Sequence, residues 1–257
     1  MAKRDGDTPE FDEEFAEPDL APERWLPHYL PHWSSRAAAR ARYGIADSAL
    51  TLRIDPDQAP WCPEFDGAVK VSSLQTGQYA GPVGSAIGQH RFNPAARVRE
   101  AQPEARLYLP HFARIEMRAR ADLGINNLAA LWLIGFEEHP DDSGEITVME
   151  IFGRNVTPAG TQLGHGIKRV TDPRLSQDFH EDLLAFDPAD WHVYAADWTP
   201  AGVDFFLDGM HLRHVAQAPD YPMQLMLNIY ELPGAPTPAR GRPATFTIDY
   251  VRGYSRG

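Results

Sequence analysis

Glu145 and Glu150 lie five positions apart in the apolar run Gly144-Glu145-Ile146-Thr147-Val148-Met149-Glu150-Ile151-Phe152-Gly153. An ionised carboxylate in an apolar setting is costly unless it is paired or put to use. Two such groups facing each other can attack a carbon and protonate a leaving oxygen. That is the chemistry of glycoside hydrolysis, with the carboxyls about 5–5.5 Å apart in its retaining form. The spacing imposes a geometric condition. Side chains alternate along a strand, so Glu145, Thr147 and Met149 share one face and Glu150 points to the other. One extra residue, a β-bulge, returns Glu150 to the face of Glu145. Met149 is the expected bulged residue. The plain alternative is a solvated strand face with Glu150 turned outward.

The elements around this run read as short strands. In Phe112 to Arg120, Ile115, Met117 and Ala119 alternate with Glu116, Arg118 and Arg120, the pattern of a half-buried antiparallel strand. Leu128 to Ile134 is nearly all apolar, which predicts burial on both faces. Asp208-Gly209 between Val203–Leu207 and Met210–His214 is a two-residue hairpin signal. Leu225 to Tyr230 and Thr245 to Arg252 read as further strands. Trp25 to Trp33, aromatic and proline-rich, reads as a loop crossing a sheet surface. Ser35 to Tyr43 has helical propensity in Arg36-Ala37-Ala38-Ala39-Arg40-Ala41-Arg42. No long amphipathic helix, repeat or linker is visible. Two stacked antiparallel sheets follow.

The order of these pieces resembles glycoside hydrolase family 16, the laminarinase- and lichenase-like β-glucanases, whose active-site strand carries E-x-D-x-x-E. Phe11 to Phe15 through Arg24-Trp25 is similar to the family's opening strand, and Ala49-Leu50-Thr51-Leu52 to its second. Trp191-His192-Val193-Tyr194-Ala195-Ala196-Asp197-Trp198-Thr199-Pro200 with Phe205-Phe206-Leu207-Asp208-Gly209 resembles its later hairpin. Ile248-Asp249-Tyr250-Val251-Arg252 resembles its closing strand. The resemblance spans residue 10 to the end. It implies an all-β fold, a jelly-roll β-sandwich of the concanavalin A-like type with two curved antiparallel sheets and a concave cleft. It also implies an extended or irregular course for residues 35–43.

In roles implied by the family, Glu145 is the nucleophile and Glu150 the general acid and base. Thr147 stands where the family places Asp. Its hydroxyl can donate to Glu145, but a negative charge is lost, and a like charge nearby is what raises a carboxyl pKa. The resemblance also places His165, Trp132, Arg154, Asn155 and Asn228 as candidate substrate contacts, and Asp249 as a candidate ligand of a structural Ca²⁺. Ser48 replaces the glycine expected at the other calcium position. Trp132 and Trp198 are weighed as core residues as well as sugar platforms, with Trp25, Trp33, Trp61, Tyr79 and Tyr230 as rival platforms. The implied activity is retaining endo-hydrolysis of a β-1,3- or β-1,3/1,4-glucan with no cofactor needed. A transglycosylase of the same fold and a non-catalytic carbohydrate-binding protein are the alternatives.

Composition narrows the partners. The 257 residues suit a single β-sandwich domain over 11–257 behind an acidic, disordered tail over 1–10. A hydrophobic fraction of 43% can fill a core, and 20 Gly with 23 Pro suit many turns. The formal net charge of −12 argues against nucleic acid and anionic membrane as partners, since both are bound through clustered Lys and Arg. No apolar stretch reaches the roughly 20 residues of a membrane span. A polysaccharide substrate and a monomeric protein are expected. Cys62 is the single cysteine, read as a packed thiol. The opening Met1-Ala2-Lys3-Arg4-Asp5-Gly6 lacks the apolar stretch of a signal peptide, although the family is usually exported, so location stays open. Asn155-Val156-Thr157 matches a glycosylation sequon.

Overall fold

The computed structural model describes residues 8–234 and 242–256. Two antiparallel sheets stack into a jelly-roll sandwich. The front sheet runs, in spatial order, Val156–Thr157, Gly160–Lys168, Glu145–Phe152, Asn127–Gly135, Met223–Glu231 and Lys70–Gln75, with Asp178–Leu184 also paired to Gly160–Lys168. The back sheet runs Met210–Val215, Gly202–Leu207, His192–Thr199, Ala113–Asp122, Ala244–Ser255, Ala49–Ile54 and Tyr43–Ala46. Phe11–Glu13 adds to Ala244–Ser255.

Alternation builds the core between the sheets. Ile115, Met117 and Ala119 of the back sheet meet Ala129, Leu131, Leu133, Leu225 and Leu227 of the front sheet in one buried cluster. All nine residues of Asn127–Gly135 are buried. The reason is that the front sheet carries apolar groups on both faces. Leu128, Ala130, Trp132 and Ile134 belong to a second cluster on its outer face, packed under Tyr29, Leu30, Trp33, Trp61 and Val98. Segment Trp25 to Trp33 therefore does cross the sheet, held by a bridge from Leu26 to Gln75. Trp25, Trp33 and Trp61 are buried, so they are core residues and not sugar platforms. Trp198 is core too, its indole N–H donating to the Pro219 carbonyl at 3.0 Å.

Local chemistry sets the turns. Asp208 and Gly209 both adopt positive φ, as the tight hairpin needs. Residues 35–43 form turns and not a helix. One α-turn bond, Ala39 N–H to the Ser35 carbonyl, forms, and Arg40 then bridges to His28. Helical propensity loses here to pairing with the chain that covers the sheet. Cys62 is buried, its Sγ 3.4 Å from the Trp33 carbonyl, and burial pushes its thiol up to about 11. It is a packed thiol. The expected tail over 1–10 lies outside the described residues as far as residue 7, but Glu10 N–H already donates to the Gly253 carbonyl. Among the described residues, no helix is long and apolar enough to cross a membrane.

One buried carboxyl pins the covering layer to the sheet. His90 N–H donates to Glu137 Oε1 at 2.6 Å, and both residues have positive φ. Burial pushes the Glu137 carboxyl up to about 8, with the charge of Asp142 adding to the rise. An acid raised in the folded state stabilises the fold fully below its unfolded value, and that contribution is lost as pH rises through the folded value. Glu137→Gln should therefore gain thermal stability over the wild type progressively between about pH 5 and pH 8. Melting curves across that range check this, and a pH-independent difference would show that Glu137 is ionised in the fold.

Candidate active site

The strand Glu145–Phe152 owes its chemistry to an irregularity. Against Asn127–Gly135, Met149 pairs with Leu131 and Thr147 with Trp132, so Val148 has no partner. Against Gly160–Lys168, Glu150 pairs with Gly164 and Thr147 with Gly166. The expected bulge exists, but its unpaired residue is Val148 and not Met149. Val148 and Met149 both enter the main core, with Ile146 and Ile151 on either side. Two consecutive inward residues shift the alternation by one. Glu145, Thr147 and Glu150 thereby share the outer face of the front sheet.

Thr147 is fully buried and donates its hydroxyl to Glu145 Oε1 at 2.6 Å. Lys168, directly across from Glu145 on the neighbouring strand, is the residue that sequence reasoning missed. Its Nζ lies 3.1 Å from Glu145 Oε1 and 2.8 Å from Glu150 Oε2. A shared contact of that length places the two oxygens no more than about 6 Å apart, short of the roughly 6.5–9.5 Å of inverting pairs. Burial raises the Glu150 carboxyl above its ordinary value against the pull of the Lys168 charge, and Glu145 and Glu181 add to the rise. Burial works against the Lys168 charge as well, but Glu145 and Glu150 outweigh it and raise its pKa. Gly164 makes room. A Cβ there would come within 2.6 Å of the Phe179 ring and 3.2 Å of the Glu150 Cβ.

A cavity of about 200 Å³ opens over the pair, lined by Tyr29, Asp66, His90, Trp132 and Tyr230 with Glu145, Glu150 and Lys168. Trp132 is thus brought to the site, edge-on to His90 with ring centroids 4.8 Å apart. Burial holds His90 below its ordinary pKa, so it is neutral. Of the rival platforms, Tyr230 lines the cavity. Asp66, Tyr29 and His90 come from the covering segments, and no local pattern marked them.

Other expected contacts lie elsewhere. His165 does not face the cavity. It is fully buried on the core side of its strand, between the core residues Leu163 and Ile167, with its ring 5.3 Å from that of Phe205 in the back sheet. Strand alternation explains this, since Gly164, Gly166 and Lys168 take the outer face. Asn228 is on the outer face but fully buried, opposite Ala130 and Ser73, and its amide has no protein partner. Its strand neighbour Tyr230 forms the cavity wall instead. Arg154 is exposed and stacks on Phe152 at 3.9 Å, and Asn155 donates to Glu181 at 3.1 Å. Neither lines the cavity. Asp249 is ion-paired with Arg118. Arg118 Nη1 donates to its Oδ2 at 2.6 Å, and among the described residues no group of three or more His, Cys, Asp or Glu could hold a metal.

Both carboxylates on one outer sheet face, over a sandwich of this topology, define a glycosidase-like site. The family model of the glycosyl hydrolases family 16 matches residues 108–252, and the chain belongs to that family. A β-glucanase from Rhodothermus marinus is 29% identical over 179 residues, covering 56% of this chain and 57% of that protein. The solved structure of a GlcNAcα1-4Gal-releasing endo-β-galactosidase from Clostridium perfringens matches 99% of this chain and 64% of its own at a TM-score of 0.84 and 28% identity. A laminarinase from Flavobacterium sp. UMI-01 shares the fold at a TM-score of 0.66 and 15% identity, over 96% of this chain and 100% of its own. The chain thus spans less than two thirds of the length of the glucanase and of the endo-β-galactosidase.

The Thr147 contact is testable alone. A hydrogen bond to a charged group contributes about 1.5–3 kcal/mol. Thr147→Val should lower kcat on a cleaved glycan about tenfold or more at nearly constant KM, and Thr147→Ser should recover most of it. Equal kcat in Thr147→Val and wild type would remove Thr147 from the machinery.

Proposed function

We propose that this protein is a retaining endo-glycosidase acting on β-linked glycans. The observation that supports the reading is the shared contact of Glu145 and Glu150 with Lys168, which leaves their oxygens no more than about 6 Å apart on one face, too close for an inverting pair. Glu145 attacks the anomeric carbon as the bond to the leaving oxygen breaks, and Glu150 gives that oxygen its proton. The resulting glycosyl ester on Glu145 is then cut by water, which Glu150 deprotonates. Burial raises the Glu150 carboxyl above its ordinary value, the direction an acid catalyst requires. The same chemistry serves a transglycosylase if a sugar hydroxyl replaces water.

For the substrate, a β-galactoside-containing glycan is the leading reading. The likeness that runs the length of this chain at 28% identity is to an endo-β-galactosidase. The β-1,3- or β-1,3/1,4-glucan expected from the sequence is the second reading, favoured by the β-glucanase relative over 56% of the chain. The action is placed on neutral polymers, since a net charge of −12 repels anionic ones.

Reducing-end release by wild type, Glu145→Gln and Glu150→Gln from laminarin, lichenan, a β-galactan and a desialylated mucin tests all of this together. Release from one polymer should fall by about 10²–10⁴-fold in Glu150→Gln and vanish in Glu145→Gln. Proton NMR of the first product should show the β-anomer. An α-anomer would overturn retention, longer products would mark transglycosylation, and silence across the panel from folded protein would favour the binding-only alternative.

A further inference from the structure

The departure at Thr147 and the unforeseen lysine have one explanation. The family motif supplies a third carboxyl between the two glutamates. Here that position is a neutral hydroxyl, and a cation touches both glutamates from the adjacent strand. Resting on the reading above, we propose that Lys168 is a positioning residue that balances the charge of the pair where the motif's third carboxyl is absent. Its ammonium is shared by Glu145 and Glu150 in the free enzyme and belongs to Glu150 alone once Glu145 carries the sugar.

Charge counting supports this. Before the first step, Glu145 is ionised, Glu150 holds its proton and Lys168 is positive, so the three groups sum to zero. In that step the electron pair of Glu145 forms the bond to carbon, the departing oxygen keeps the pair of the broken bond, and it takes the Glu150 proton. Glu145 is now a neutral ester and Glu150 is negative, so the sum is again zero. Water then returns the proton to Glu150 and the ester cleaves. One cation in contact with both carboxyls matches one negative charge that moves between them. In a buried site, where an unpaired charge is costly, no stage is left unbalanced.

The surroundings leave this task to Lys168. Glu181 on Asp178–Leu184 opposes ionisation of Glu150. His90 from the covering layer is held neutral by burial. Asp66 is held towards its neutral form by burial and accepts from the Trp61 indole at 2.7 Å. Tyr29 and Tyr230 are driven far from ionisation by burial. Phe179 packs its ring 4.6 Å from Nζ and fixes the lysine arm. An aspartate at 147 would face the same ammonium, so the two substitutions belong together.

The test has two arms that fail separately. Carbon-13 titration of the glutamate carboxyls in the whole protein reads the electrostatics without turnover. Lys168→Met should raise the Glu150 midpoint by about one unit or more, and Lys168→Arg should restore it. An unmoved midpoint overturns the proposal, and Lys168→Gln serves if the methionine variant does not fold. In turnover, Lys168→Met should slow hydrolysis of the glycosyl ester more than its formation, seen as a burst with an activated aryl glycoside. Both limbs of the kcat/KM profile should move to higher pH. Adding Thr147→Asp should recover activity in the Lys168→Met background and lower it in the lysine background. Losses that simply add would overturn the exchange of roles. A wild type silent on every glycan refutes the functional reading, while the titration still decides the charge-sharing.

Discussion

Everything at this site depends on one extra residue in one strand. A regular strand over Glu145–Phe152 would put one of its two glutamates into the inter-sheet core, where an unpaired carboxylate is not tolerated. Sending both Val148 and Met149 inward avoids this. The bulge satisfies two demands together. The core receives four apolar side chains from eight residues, and the outer face receives Glu145, Thr147 and Glu150. Neither demand can be met in a strictly alternating strand, because a one-residue slip turns every later side chain to the opposite face.

The outer face must then hold two carboxyls in different states. A general acid profits from exclusion of water, whereas a nucleophile must keep its charge. The covering layer supplies the first condition by packing Tyr29 and Trp61 against the front sheet, Tyr29 edge-on to Tyr230 of that sheet. That same layer would suppress both charges if it acted alone. Thr147 and Lys168 correct for it unequally, since Glu145 receives both a hydroxyl and the ammonium and Glu150 receives the ammonium only. The asymmetry is the physical ground on which the proposed roles rest, apart from the motif. Pairs of titratable groups whose environments differ are the usual sign of an acid and its partner.

How much of this could be read from the chain follows from the range of each interaction. The Asp208-Gly209 hairpin is local in sequence and was legible. So was the pair Glu145 and Glu150, because its five-residue spacing within an apolar run can share one face only through a bulge. Its location at Val148 was not legible, since register against Leu131 and Trp132 decides it. His165 shows the limit of transferring a position without its register, for Gly164 and Gly166 occupy the outer face and turn the histidine inward. The contact of Asp249 with Arg118 was not legible either, because the two lie 131 residues apart in sequence. Lys168 was hidden for a related reason. It ends the strand Gly160–Lys168 and belongs to no motif, and only the pairing of Lys168 with Glu145 brings it to the site.

The covering layer also bears on what can enter. The chain carries a net charge of −12, yet the outer face over Glu145 and Glu150 holds the cation Lys168. An anionic polymer would be repelled at long range and would find Lys168 already engaged by the two glutamates. A neutral glycan meets neither obstacle. Its binding then relies on apolar ring faces and hydroxyl hydrogen bonds, which Trp132, Tyr230 and Asp66 are placed to supply. Because these groups reach the cavity partly from loops and partly from the sheet, the choice of sugar can change with the loops while the strand that bears Glu145 and Glu150 stays as it is.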